Sequence, residues 1–123
     1  MNQFENKYDL EDRTMDYSKD IIDLLKKCPK TQLSMPLMNQ CLRAGTSIGA
    51  NYREANGASS KKDFLNKIFI CKKEAKETLY WLELLDRALE EDSLKEKLRK
   101  QWKETKELVL IFSKIVASTK NGV

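Results

Sequence analysis

Apolar residues recur along this chain at steps of three and four, the spacing that gathers side chains on one face of an α-helix. Leu10, Tyr17, Ile21, Leu24, Leu25 and Cys28 make the first stripe and Pro29 ends it, predicting a helix over about 12–28. Ser34 before Met35 and Pro36 reads as an N-cap, and Leu37, Cys41, Ala44, Ile48, Tyr52 and Ala55 then predict a second helix over 35–56, before Gly57. Ser59 or Ser60, with Asp63 in the first turn, opens a third over 60–91, with Phe64, Ile68, Cys71, Ala75, Leu79, Leu82, Leu85 and Leu89 on one face. Ser93 with Glu96 has capping-box spacing. Leu94, Leu98, Trp102, Thr105, Val109, Phe112 and Val116 carry a fourth helix over 94–119, toward Gly122.

Loops of a few residues force consecutive helices to alternate in direction. The predicted fold is therefore all-α, an up-down-up-down antiparallel four-helix bundle, in a single domain over residues 1–123. At about 1.5 Å per residue the third helix is about 45 Å long and the first about 25 Å, so the long pair projects past the short one or leans on another subunit.

Two helices carry more than one unusual face. Opposite its core stripe the second helix holds Arg43, Thr46, Ala50 and Arg53, with Ser47 and Glu54 beside them, while Gly45 and Gly49 flank the core side. A glycine inside a helix costs about 1 kcal/mol against alanine and is tolerated where another backbone approaches. For Gly45 and Gly49 that backbone belongs either to this chain or to a second copy. The third helix shows Ile70, Trp81, Leu84 and Ala88 on one flank and Leu65, Phe69 and Tyr80 on the other. A helix apolar on several sides is buried on several sides, which points to a homo-oligomer. The expected interface residues are Gly45, Thr46, Gly49, Ala50, Phe69, Ile70, Tyr80, Trp81 and Leu84.

Charge sharpens this. The chain carries +4 overall, yet residues 1–20 sum to −3 while 61–81 and 94–107 each sum to +3. Lys62, Lys73 and Lys76 alternate with Phe69 and Tyr80 along the third helix, the mixture of cation and ring that suits phosphate neutralisation with base stacking. The same pattern also describes a lysine rim around an oligomer interface.

Catalytic chemistry is harder to build. The chain has no histidine, which removes His-dependent triads, general bases and HExxH zinc sites. Cys28, Cys41 and Cys71 lack CxxC spacing and are expected to be reduced and partly buried. Glu74 and Glu77 sit among lysines without the Glu-x-x-His partner of a di-metal bundle. No metal, no cofactor and no enzyme activity are expected. The polar, acidic start has no signal-peptide core and no apolar run is long enough to span a bilayer, so the expected location is cytoplasmic, away from membranes.

The segment Leu42-Arg43-Ala44-Gly45-Thr46-Ser47-Ile48-Gly49-Ala50-Asn51-Tyr52-Arg53-Glu54-Ala55 resembles the bacterial family of four-helix proteins named for reading frames in 23S ribosomal RNA intervening sequences. Ser60-Lys61-Lys62-Asp63-Phe64, Lys73-Glu74-Ala75-Lys76-Glu77-Thr78 and Tyr80-Trp81-Leu82 extend the likeness over roughly residues 8–119. It implies a bundle that assembles as a ring, with five subunits. A more distant similarity is to the accessory variability determinant protein of diversity-generating retroelements, a basic pentamer that partners a reverse transcriptase. The ribosomal name reflects where the genes lie, so no structural role in the ribosome follows and no activity carries over.

These readings converge on a non-enzymatic homo-oligomer that binds RNA or DNA through a basic face, possible partners being a second copy, nucleic acid and a nucleic-acid-processing protein. The expected phosphate contacts are Arg43, Arg53, Lys62, Lys72, Lys73 and Lys76, although Arg43 and Arg53 can equally pair with Glu54 or Glu74. The alternative is a protein-binding scaffold whose lysines serve solubility, with the acidic first helix neutralising the basic third.

Overall fold

A computed structural model describes residues 9–90 and 92–120, and its elements are four helices: α1 (Leu10–Lys27), α2 (Ser34–Asn56), α3 (Lys61–Ala88) and α4 (Asp92–Lys120). Among the described residues there is no strand. Gly122, expected beyond the last helix, lies outside them. α1 packs on α2 and α4, and α3 packs on α2 and α4, while α1 and α3 stand diagonally without close backbone approach. That cyclic neighbour order, with short loops, is the up-down-up-down bundle.

Local chemistry explains the helix starts, and it moves three of them from their expected places. Asp9 caps α1 by accepting the Asp12 N–H at 2.9 Å, so the helix begins before residue 12. Ser34 is not the cap of α2. Its backbone N–H donates to Thr31 Oγ1 at 3.0 Å while its hydroxyl accepts the Thr31 N–H at 2.8 Å, the reciprocal pair of a capping box with Thr31 as cap. The Met35 N–H already bonds the Thr31 carbonyl at 3.0 Å, and the fully buried Ser34 hydroxyl donates to the Pro29 carbonyl at 2.6 Å. Ser60 caps α3 as expected, accepting the Asp63 N–H at 3.0 Å. Ser93 stands inside α4 as its second residue rather than before it.

α3 ends at Ala88, short of the expected 91, with the Leu89 N–H bonded to the Leu85 carbonyl. Glu90, following Leu89, opposes the negative end of the helix dipole, and Leu89 itself turns into the core. The core runs through Tyr17, Ile21, Ile48, Ile68, Leu82, Leu85, Leu108 and Phe112, with the Tyr52 and Phe112 rings 6.1 Å apart. On α4 the buried stripe passes through Gln101 and Leu108 instead of Trp102 and Val109. Trp102 is half-buried because its indole N–H seeks a partner at the rim, Glu83 Oε2 at 3.1 Å. The buried Tyr17 hydroxyl meets Thr105 Oγ1 at 2.5 Å, joining α1 to α4.

Candidate functional site

Helical geometry and the neighbour order together place the expected site residues. Much of the Leu42–Ala55 segment is consumed by packing inside the chain. A side chain on Gly45 would meet Ile21 Cγ1 at 3.2 Å, and one on Gly49 would meet Thr14 Cβ and Oγ1 at 3.2 Å. Both glycines therefore accept α1, the intrachain one of the two packings their spacing allows. Asn51 Nδ2 donates to the Ser47 carbonyl at 2.8 Å, Ser47 Oγ donates to the Arg43 carbonyl, and Glu54 accepts from Lys67 at 2.8 Å. The hydrogen bond it donates to Glu54 holds the Lys67 ammonium above its ordinary pKa.

Arg43 is also committed. Its guanidinium pairs with Glu74 at 3.2 Å and with Glu77, and Nε donates to Gln40 Oε1 at 3.0 Å. Glu77 additionally accepts the Trp81 indole N–H at 2.9 Å. An arginine paired with two carboxylates has its charge offset where it stands, so Arg43 belongs to the α2–α3 seam rather than to a basic surface.

Arg53 is exposed on the flank of α2 that borders α1, away from the lysines of α3. That flank also carries exposed apolar side chains, with Lys19 and Lys26 of α1 at its outer edge. Met35, Leu42, Thr46 and Ala50 of α2 lie beside Met15 and Ile22 of α1, and Met15, Ile22, Met35 and Leu42 are all exposed. Of the expected interface residues only Thr46 and Ala50 fall here. Ile70, Trp81 and Leu84 border the α2–α3 seam, half-buried, and Phe69 and Tyr80 stand on the outer crest of α3.

Lys62, Lys72, Lys73 and Lys76 do come together on α3, and the fold brings α4 beside them. At 100° per residue, the arc of α3 from its α4 side to its crest carries these four and Arg87 against Glu83. The matching arc of α4 carries Lys95, Arg99, Lys103, Lys106 and Lys120 against Asp92. Lys95 is paired with Asp86 at 3.2 Å, and the others add to one continuous basic face. Near its loop end this face dips into an open groove of ≈ 530 Å³ lined by Glu83, Asp86, Arg99, Trp102 and Lys103 among others. The Lys106 ammonium lies over the Trp102 ring at 5.2 Å, and Lys120 over Phe69 at 5.2 Å.

Four aspartates of α1 lie away from it. Asp12, Asp16, Asp20 and Asp23 line the outward arc of α1, diagonal to α3, so they do not neutralise the α3 lysines. Asp20 borders an open groove of ≈ 390 Å³ between α1 and α4, where burial pushes its carboxyl pKa up against the pull of Lys100. The basic residues of α4 and the apolar residues of α1 were missed by reading helices singly. Their signals, the surplus of cations in 94–107 and the off-stripe Met15 and Ile22, become a face only once neighbours are known.

Cys28, Cys41 and Cys71 are free and buried, and burial raises their thiol pKa values, to about 12 for Cys41 and Cys71. Buried protonated thiols are poor nucleophiles. Among the described residues no group of His, Cys, Asp or Glu is clustered to hold a metal ion, and no helix is long and apolar enough to cross a membrane.

Comparison with known proteins places this architecture. A solved protein of unknown function from the S23 ribosomal protein family of Bacteroides thetaiotaomicron VPI-5482 superposes with a TM-score of 0.77 at 38% identity, covering 86% of this chain and 96% of that one. No protein with a curated description matches. The family model described as 23S rRNA-intervening sequence protein matches residues 6–114. This chain belongs to the 23S rRNA-intervening sequence protein family.

Proposed function

We propose that this protein is a non-enzymatic, homo-oligomeric helical bundle that binds RNA or DNA through the face shared by α3 and α4. The observation that carries the reading is the clustering of cations: Lys62, Lys72, Lys73, Lys76, Arg99 and Lys106 share one side, joined at its edge by Lys103, which also borders the α1–α4 groove where Asp16 and Asp20 lie. A concentrated cationic surface releases the counterions condensed on a phosphate backbone, and that release drives sequence-independent binding. Arg43 and Arg53 drop out of the phosphate set, the first because it is paired and the second because it sits on another flank. Self-association is assigned to the apolar strip of Met15, Ile22, Met35, Leu42, Thr46 and Ala50, with five copies the number that the family resemblance implies.

The test is a salt titration of binding to labelled RNA and DNA. The logarithm of affinity is expected to fall linearly with the logarithm of salt. Each of Lys73→Ala, Lys76→Ala and Lys103→Ala should weaken binding uniformly across sequences and lower the slope by roughly 0.7 to 0.9. Lys19→Ala on α1 should change neither. Salt-independent capture of a polypeptide, with the lysine variants unaffected, would move the assignment to the protein scaffold.

A further inference from the structure

The α3/α4 face is not uniformly polar. Tyr80 (58% exposed) and Phe69 (40%) stand on the outer crest of α3 and Leu110 (56%) on that of α4, in the angular sector where the lysines point outward. Tyr80 and Phe69 are eleven residues apart on one helix, about 16 Å along its axis, and antiparallel pairing sets Leu110 between their levels. Cations stand on both sides of each crest, Lys76 of α3 and Lys106 of α4 toward the seam between the helices and Lys73 and Lys103 outside it. Tyr80 is held in place by an edge-on contact with the Trp81 ring, centroids 4.9 Å apart, and its own ring remains more than half open to solvent.

Resting on the nucleic-acid reading above, we propose that the ligand of this face is single-stranded, its bases packing on Tyr80 and Phe69 while its phosphates follow the flanking lysines. Two geometric facts favour a single strand over a duplex. A duplex hides its base faces and offers a cationic surface only phosphates, leaving the open face of Tyr80 and exposed Leu110 unused, whereas unstacked bases present a π-face to a ring such as Tyr80. Moreover, α3 and α4 lie side by side as a surface about two helix diameters wide, roughly 20 Å, and a B-form major groove of about 12 Å admits one helix and not that surface.

The experiment is fluorescence anisotropy with a labelled single-stranded oligonucleotide and with the duplex of the same length, at one salt concentration and then across a series. The intact protein should bind the single strand more tightly, with quenching of Trp81 emission. Tyr80→Ala should weaken single-strand binding on the order of five- to a hundredfold, the usual worth of one stacked base, without altering the salt slope or duplex affinity. Tyr80→Phe, which keeps the ring, should bind as the parent does. Equal affinity for both forms, unchanged by Tyr80→Ala, would overturn the single-strand assignment and leave phosphate binding standing. Binding of neither form removes the nucleic-acid reading and this inference with it.

Discussion

Arg43 on α2 reaches Glu74 on α3 at 3.2 Å, and only 11% of the Glu74 side chain is exposed. The pair ties the two helices at mid-length and explains an arginine inside a segment otherwise made of small residues. Arg43→Ala strands the Glu74 carboxylate beside the core without its cation. Because the Arg43 side chain is itself 47% exposed, solvent screens part of the loss, and the expected cost is about 1–3 kcal/mol. Urea unfolding measures it, and a cycle with Glu74→Gln isolates the coupling from lost packing of the arginine stem. Nucleic-acid affinity should not follow the stability. A salt slope that falls by nearly one unit in Arg43→Ala would return this residue to the phosphate set.

Gly49 and Gly45 make a second, graded prediction. A methyl on Gly49 runs into Thr14 at 3.2 Å, a fully buried side chain whose hydroxyl is already fastened to the Leu10 and Glu11 carbonyls, with the Thr14 backbone oxygen only 3.4 Å away. Nothing there can give way cheaply. Gly49→Ala should lose about 1–2 kcal/mol, the helix-propensity gain of about 1 kcal/mol being outweighed by crowding. A methyl on Gly45 meets only Ile21 side-chain carbons, at 3.2 to 3.5 Å, and Gly45→Ala should stay within about 1 kcal/mol of the parent. Native mass should be unchanged in both. A loss of mass at unchanged stability would mean that these glycines face a second copy.

The helices were readable from the chain because their signals are local. The Ser60 cap with Asp63 in the first turn, the Pro29 stop and the three-four spacing through Ile68, Cys71, Ala75 and Leu82 each depend only on residues within a turn or two. Ser34 shows the limit of that locality, since a serine before Met-Pro has the composition of a cap, and only the fold of the Pro29–Ser34 turn reveals Thr31 in that role. The sites depended on adjacency, which a helical wheel does not contain. It placed Gly45 and Gly49 beside the core stripe without saying that Ile21 and Thr14 were opposite, and it separated the lysines of α3 from those of α4 although the two arcs share one face.

Stability should also fall on the alkaline side. Burial pushes Cys41 and Cys71 up to about 12 from the ordinary 9.0, so between those values the native state keeps protons that the unfolded chain releases. Stability from this source is whole below pH 9 and is lost as pH rises toward about 12. Burial raises the Tyr17 phenol as well, so the informative quantity is the difference between parent and variant. In Cys41→Ala the decline of the urea midpoint between pH 9 and 11 should be shallower than in the parent, whatever the cavity does to its absolute level. Identical declines would mean that Cys41 ionises as freely in the native state as in the unfolded one. A thiol reagent at pH 8 should label the cysteines only as the protein opens.

The apolar strip on α1 and α2 gives the test of assembly. Ile22 and Leu42 are each 40% exposed, so a carboxylate at either position keeps its water in an isolated chain and costs the fold little. Buried against a second copy it loses that water and is left unpaired. Ile22→Glu and Leu42→Glu together should therefore lower the native mass toward 14.3 kDa while the helical circular dichroism stays intact. Leu110→Glu, on the opposite side of the bundle, is the matched control and should leave the mass alone while weakening nucleic-acid binding. If Leu110→Glu dissociates the particle and the double variant does not, the copies meet through α3 and α4, and the basic face becomes the seam between subunits.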